Sequence, residues 1–295
     1  MATPAQWIAG ARLRTLPMAI APVAVGTAAA FGLTGAFHWV LAILALLVSL
    51  LLQIGVNYAN DYSDGVRGTD DDRVGPLRLT GSRLAKPSHV KAASFICFGL
   101  AALVGLLLIF GSGVWPLLLV GVAAIFAAWG YTGGKHPYGY LGLGEVFVFL
   151  FFGLVATLGT TLTQVHQLPL TAWLGAVSTG LIAMALLMAN NIRDIPTDRE
   201  VGKNTLAVRL GEHAARVSYA FMLGVAAVLP VLAAPSNPWL LLTLVVLALS
   251  VAPVRRVMTA QHAGELIPVL KQTGIIAIVF AALFSVASAL PFLLA

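Results

Sequence analysis

Charged side chains are scarce in this sequence. Its 17 Lys and Arg and 11 Asp and Glu make up 9% of 295 residues, against 59% hydrophobic, and the mean hydropathy is +0.94. A water-soluble domain is about a quarter charged, so an ordinary globular fold is excluded and lipid is the solvent for most of the chain. Cysteine is nearly absent as well: Cys97 alone, inside an apolar run, excludes an internal disulfide, a CxxC redox pair and a cysteine-rich zinc site. No small-residue cleavage site follows the first apolar segment behind Arg12 and Arg14, so that segment reads as a retained helix rather than a signal peptide. The six histidines lack metal-ligand spacing and are given no catalytic role. A pI of 9.8 suggests nucleic acid at first sight, but the cations sit in short loops between apolar runs, which excludes nucleic acid as a partner.

Apolar runs of membrane length are what the sequence has in abundance. They fall near 15–35, 39–60, 91–111, 114–131, 144–164, 169–190, 214–234, 238–254 and 273–294, each approaching the roughly 20 residues that cross a bilayer. This pattern predicts an all-α fold: nine transmembrane helices in one polytopic domain, 1–295. In a nine-span arrangement all 17 Lys and Arg fall on one side of the membrane. The positive-inside rule puts that side, and the N-terminus, in the cytoplasm of a multi-pass cell-membrane protein. Trp39, Trp115, Trp173 and Trp239 mark the opposite interface, where indole rings suit the headgroup region.

The acids share the cationic side, which topology does not require, because Asp and Glu contribute little to orientation. The second run ends Asn57-Tyr-Ala-Asn60-Asp61-Tyr-Ser-Asp64, and helical offsets of three and four put Asn57, Asn60 or Asp61, and Asp64 on one face. The sixth run ends with Asn190, Asp194 and Asp198 spaced by four, with Pro196 placed to kink or end the helix. Carboxylates at the rim of a hydrophobic segment repel one another unless something positive joins them. A hard cation such as Mg²⁺ does so with one or two carboxylates, water and phosphate oxygens. Arg67, Arg78, Arg83, Lys86, Lys135 and Lys203 add more positive charge than a metal alone requires, and the set suits a metal-bridged diphosphate. Asn and Asp also cap helix ends, but two clusters of one form, four helices apart on one side, favour a shared site. A membrane transporter is the alternative class, although its acids sit near the midplane on broken helices and these sit at one rim.

With both motifs placed, the chain resembles the UbiA-type intramembrane prenyltransferases, whose aspartate motifs have the forms N-D-x-x-D and D-x-x-x-D. Here they read Asn60-Asp61-Tyr62-Ser63-Asp64 and Asp194-Ile195-Pro196-Thr197-Asp198. Many members carry a further Asp four residues past the first motif, where this chain has Gly68 and its next acid at Asp70. The segments 11–17, 131–134, 139–145 and 202–211 are similar to the menaquinone branch, the 1,4-dihydroxy-2-naphthoate polyprenyltransferases.

The resemblance implies a nine-helix bundle with a central cavity opening to the cytoplasm. It implies transfer of a polyprenyl group from a polyprenyl diphosphate to 1,4-dihydroxy-2-naphthoate, with loss of CO₂ and diphosphate, giving demethylmenaquinone. 4-Hydroxybenzoate and homogentisate are the alternative aromatic acceptors. On this resemblance Asp61, Asp64, Asp194 and Asp198 are expected to be catalytic and to hold Mg²⁺, with Asn60 and Asn190 as supporting ligands and Asn57 behind them. Arg67, Lys135 and Lys203 are expected at the diphosphate, and Arg14 at a carboxylate or phosphate. Tyr62 and Tyr131, with Phe147, Phe149 and Phe151, are expected along a prenyl channel, and Glu145 at the cavity mouth.

Overall fold

A computed structural model describes residues 2–68 and 77–294. The elements start and stop where local chemistry dictates. In α1, Pro4–Gly10, the Thr3 hydroxyl accepts from the Gln6 amide while the Gln6 side chain accepts from the Thr3 amide, a reciprocal cap with proline in the first turn. Helix α2, Pro17–Thr34, also opens on proline, and Gly35 at φ +72° closes it. Helix α3, Trp39–Arg67, runs for 29 residues and stops at Gly68, φ +75°. Helix α4 is Pro87–Ser112, closed by Gly113 at φ +73°, and α5 is Leu117–Gly130. The left-handed conformation at these stops is one that a side chain disfavours and glycine does not.

Helix α6 spans Gly144–Val165 and α7 spans Leu170–Arg193. Two short helices follow, α8 at Ile195–Glu200 and α9 at Leu206–Leu210, and then α10, Glu212–Ala233, α11, Pro238–Thr259, and α12, Ala263–Leu293. No strand occurs among the described residues. Eight helices, α2, α3, α4, α6, α7, α10, α11 and α12, are long and apolar enough to cross a membrane. The remaining run, 114–131, becomes the 14-residue α5, about 21 Å long at 1.5 Å per residue against roughly 30 Å of hydrocarbon. Pro116 shortens it, since proline has no amide to donate and the helix begins just after it.

Helix α7 is the centre of the bundle, with 72% of its apolar window buried against 28% for α3 and α4. It packs against α2, α6, α10 and α12, and its buried residues include many small ones, Ala172, Ala176, Ala183, Ala185 and Ala189, among larger ones such as Ile182 and Met188. Small side chains let backbones approach where lipid supplies no hydrophobic drive between helices. The α6–α7 crossing is one such close approach, because a Cβ on Gly153 would lie 2.5 Å from the Gly180 Cα. Hydroxyls tie the same layer together, Thr157 to Thr179 at 3.1 Å and Thr161 to the Gly26 carbonyl at 2.9 Å. Within α6, Phe149–Val155 is π-helical. A π turn inserts an extra residue and re-aims the side chains around it, and here Phe147, Phe151, Phe152 and Val155 all line the central cavity.

Candidate active site

The cavity has a volume of about 940 Å³ and is polar at one end and apolar through the rest. Arg12, Arg14, Asn57, Asn60, Tyr131 and Asn190 give it polar groups, while Leu108, Leu117, Val122, Phe151 and Val155 belong to its apolar lining. The ends of α3 and α7, four helices apart in sequence, therefore contribute to one space. Asp64, Asp194 and Asp198 stand one or two turns beyond those asparagines, buried at the rim.

Helix periodicity separates the first motif into two stripes. Asn60 and Asp64, four apart, form one: the Asn60 carbonyl accepts from the Thr132 hydroxyl at 2.8 Å, and Asp64 accepts from the Tyr140 hydroxyl at 2.9 Å and from Arg78 at 3.4 Å. Gln53, Asn57 and Asp61, also four apart, form the other and hold chain segments. The Asn57 amide donates to the Ala11 carbonyl at 2.9 Å and the Thr15 hydroxyl at 3.0 Å, fixing the turn on which Arg12 and Arg14 sit. Asp61 accepts from the backbone amides of Leu79 and Thr80 at 2.6 and 2.8 Å. Of the face expected to hold Asn57, Asn60 or Asp61, and Asp64, Asn57 and Asn60 line the cavity, whereas Asp61 turns to the chain that folds back over α3.

The second motif bends as its proline predicts. Asp194 sits at φ −93°, ψ 3°, between α7 and α8, and Pro196 opens α8. Arg193, almost fully buried, forks onto both oxygens of Asp194 at 2.6 and 2.7 Å and donates to the Asn190 carbonyl at 2.9 Å. Asp198 pairs with Lys203 at 3.7 Å. Sequence reading counted Arg193 only as a topology charge; its signal was its place directly beside Asp194 at the end of an apolar run.

Tyr140 joins the two clusters and was also missed. Its hydroxyl donates to Asp64, its ring lies under Arg67 at 5.2 Å and Lys203 at 5.1 Å, and its carbonyl accepts the Asn204 amide at 3.1 Å. Arg12 is a third omission: it lines the cavity in a left-handed backbone, φ +53°, a conformation rare for a side-chain-bearing residue and often found at functional sites.

Other expected residues fall in different places. Arg67 binds the carbonyls of Thr132 and Gly134, the latter at 2.6 Å, and so tethers the turn after α5. Lys135 is exposed and outside the cavity lining. Tyr62 stacks on Trp129 at 6.2 Å beside Lys91, and Phe149 packs against Gly180, so neither lines the channel, whereas Tyr131, Phe147 and Phe151 do. Glu145, 1% exposed, accepts from the Asn191 amide at 2.8 Å and sits behind the lining rather than at the mouth.

Asp70 lies outside the described residues. Gly68, where many relatives of the motif carry an acid, is held at φ +75° by its duty of ending α3. Gly68→Ala is expected to lower stability by about 1 kcal/mol through the left-handed strain, read as a drop in thermal melting in detergent.

A sequence profile of the UbiA prenyltransferase family matches residues 19–275. The chain belongs to that family. It is 51% identical to the 1,4-dihydroxy-2-naphthoate octaprenyltransferase of Mycobacterium tuberculosis over 99% of each chain. It is 44% identical to the enzyme of that name from Escherichia coli over 74% of this chain and 72% of that one. The fold matches a UbiA homologue from Archaeoglobus fulgidus bound to GPP and Mg²⁺ at TM-score 0.69 and 15% identity, covering 96% of this chain and 99% of the other.

Proposed function

We propose that this chain transfers a polyprenyl group from a polyprenyl diphosphate to 1,4-dihydroxy-2-naphthoate, releasing CO₂ and diphosphate. One observation carries the reading: Asn57 and Asn60 of one Asn/Asp helix end and Asn190 of the other line a single, largely apolar cavity. The octaprenyltransferase relatives at 51% and 44% identity support the acceptor assignment.

The oxygen donors fit a hard divalent cation. Among the described residues no three Asp, Glu, His or Cys groups converge into a protein cage, but Mg²⁺ bound through phosphates needs only one or two carboxylates. Asp64, Asp194 and Asp198, with Asn60 and Asn190, are the residues that would hold it. Bound there, Mg²⁺ supplies neutralisation of the leaving diphosphate. Asp61 is withdrawn from the set because backbone amides already take both its oxygens. Arg78, Arg193 and Lys203, now paired with the acids, are the cations placed to meet phosphate oxygens, and Arg12 and Arg14 face the cavity for an acceptor carboxylate.

The apolar lining keeps water from the developing allylic cation, and the rings of Tyr131, Phe147 and Phe151 offer it π faces. The prenyl C–O bond breaks with its electron pair leaving on diphosphate, and the ring carbon bearing the carboxylate forms the new C–C bond. The C–CO₂ bond then breaks, its pair restoring the aromatic ring, so demethylmenaquinone leaves at its quinol level. In this reading α5 completes nine crossings, the N-terminus and the cavity mouth face the cytoplasm of the cell membrane, and 17 cations on one side support that orientation.

Purified protein given Mg²⁺, a polyprenyl diphosphate and, separately, dihydroxynaphthoate, 4-hydroxybenzoate and homogentisate is expected to yield product mass only with the first. Product only from another acceptor overturns the acceptor, and none from any overturns prenyl transfer. EDTA is expected to reduce turnover to background and added Mg²⁺ to restore it.

A further inference from the structure

Asp61 belongs to the family motif but differs from its neighbours in what it touches. Its carboxylate is fully buried, with Oδ2 accepting the Leu79 amide at 2.6 Å and Oδ1 the Thr80 amide at 2.8 Å. Such charge-assisted bonds to consecutive backbone donors are about twice as strong as neutral ones. Asn57 and Asn60, on the same turns, line the cavity and Asp61 does not.

The gripped segment bears on the site along its length. Leu77 lines the cavity, and Arg78 stands 3.4 Å from Asp64. Leu79 is fully buried against α1 and α3, and a Cβ on Gly10 would lie 2.9 Å from its Cδ1, so the approach to Arg12 and Arg14 rests on it. One turn past Asp61, Gly65 leaves room for the segment: a Cβ there would lie 2.6 Å from the Thr80 Cβ and 3.0 Å from the Gly81 amide nitrogen.

We propose that Asp61 is a positioning residue, a clamp that fastens residues 77–85 to α3 so that Arg78 stands beside Asp64 to receive the diphosphate. The anion's identity rests on the prenyl-transfer reading; the clamp does not.

Two substitutions break the clamp by different physics. Asp61→Asn keeps the shape but sets an amide N–H against one backbone N–H, whereas Gly65→Ala keeps the carboxylate and drives Thr80 away. Both are compared with Asp64→Asn in the full-length chain in detergent. Without substrate, amide exchange across 77–85 is expected to quicken about tenfold in both clamp variants, the equivalent of one lost charge-assisted bond, while exchange across 170–193 stays as in the parent. In turnover, the KM for polyprenyl diphosphate is expected to rise about tenfold with the half-saturating Mg²⁺ unchanged, whereas Asp64→Asn shifts the Mg²⁺ response. Unchanged exchange in Asp61→Asn, or a Mg²⁺ shift equal to that of Asp64→Asn, overturns the clamp. Faster exchange with an unchanged diphosphate KM overturns its link to Arg78 and the anion. A parent chain that transfers no prenyl group to any acceptor defeats the functional reading alone, because the exchange measurement still decides the clamp.

Discussion

Asp64→Asn is expected to lower turnover by about a thousandfold or more while leaving the protein folded. Charge stabilisation at the leaving group is usually the largest catalytic contribution, and loss of a single preorganised partner costs a hundred- to a thousandfold. Asp64 has more than one such role. It is the carboxylate one turn beyond the cavity-lining Asn60, it accepts from Tyr140, and it pairs with Arg78. Asparagine keeps the shape and one acceptor but removes the charge that a metal or Arg78 requires. Asp194→Asn is expected to match it in turnover and differ in stability. Arg193 is almost fully buried and forks onto Asp194, so removing the charge strands a buried guanidinium at a cost of about 3 kcal/mol. The kcat at saturating Mg²⁺ and diphosphate, with thermal melting beside it, separates the two; full activity in both variants defeats the metal assignment.

Helix positions and the pairing of two acidic helix ends were legible because each rests on a local signal. Apolar runs mark spans, Gly68 ends α3, and Pro196 breaks the chain between Asp194 and Asp198. The direction in which each residue of a motif points was not legible. Asn57, Asn60, Asp61 and Asp64 all lie within two turns, and spacing alone fits one broad face. Only the return of residues 77–85 over α3 makes Asp61 an anchor, while Asn57, which also holds residues 11–15, and Asn60 line the cavity with Asp64 one turn beyond them. Tyr140 was hidden for a related reason: its bonds reach 76 residues back to Asp64 and forward to Asn204, and no local pattern announces contacts of that range. Phe147, Phe149 and Phe151 were expected together along the channel, but in the π turn at Phe149–Val155 Phe149 lies against Gly180 while Phe147 and Phe151 line the cavity.

Cations and acids at the rim are paired with one another in this structure, Arg78 with Asp64, Arg193 with Asp194 and Lys203 with Asp198. Burying either sign alone beside a hydrophobic cavity is costly, and pairing offsets that cost. On the proposed reading a metal diphosphate would present both signs at once, and these cations and acids are the residues that would hold it in place of one another.

Gly153→Ala is expected to damage the bundle severely. The added carbon would meet the Gly180 Cα at 2.5 Å, the Ala176 carbonyl at 2.9 Å and the Gly180 amide nitrogen at 3.0 Å, all backbone atoms with no rotamer to yield. The two helices must then part, and overpacking of this kind costs about 3 kcal/mol. The cost reaches the chemistry as well, because α6 carries Phe147, Phe151 and Val155 on the cavity wall through the π turn that contains Gly153. Gly224→Ala is the control: a Cβ there has nothing within 4 Å, and alanine gains up to about 1 kcal/mol of helix propensity. Thermal melting in detergent should fall clearly for the first and hold or rise for the second, with turnover lost only in the first. Equal melting of the two variants defeats the claim that the α6–α7 crossing, rather than helix composition at large, sets the wall of the cavity.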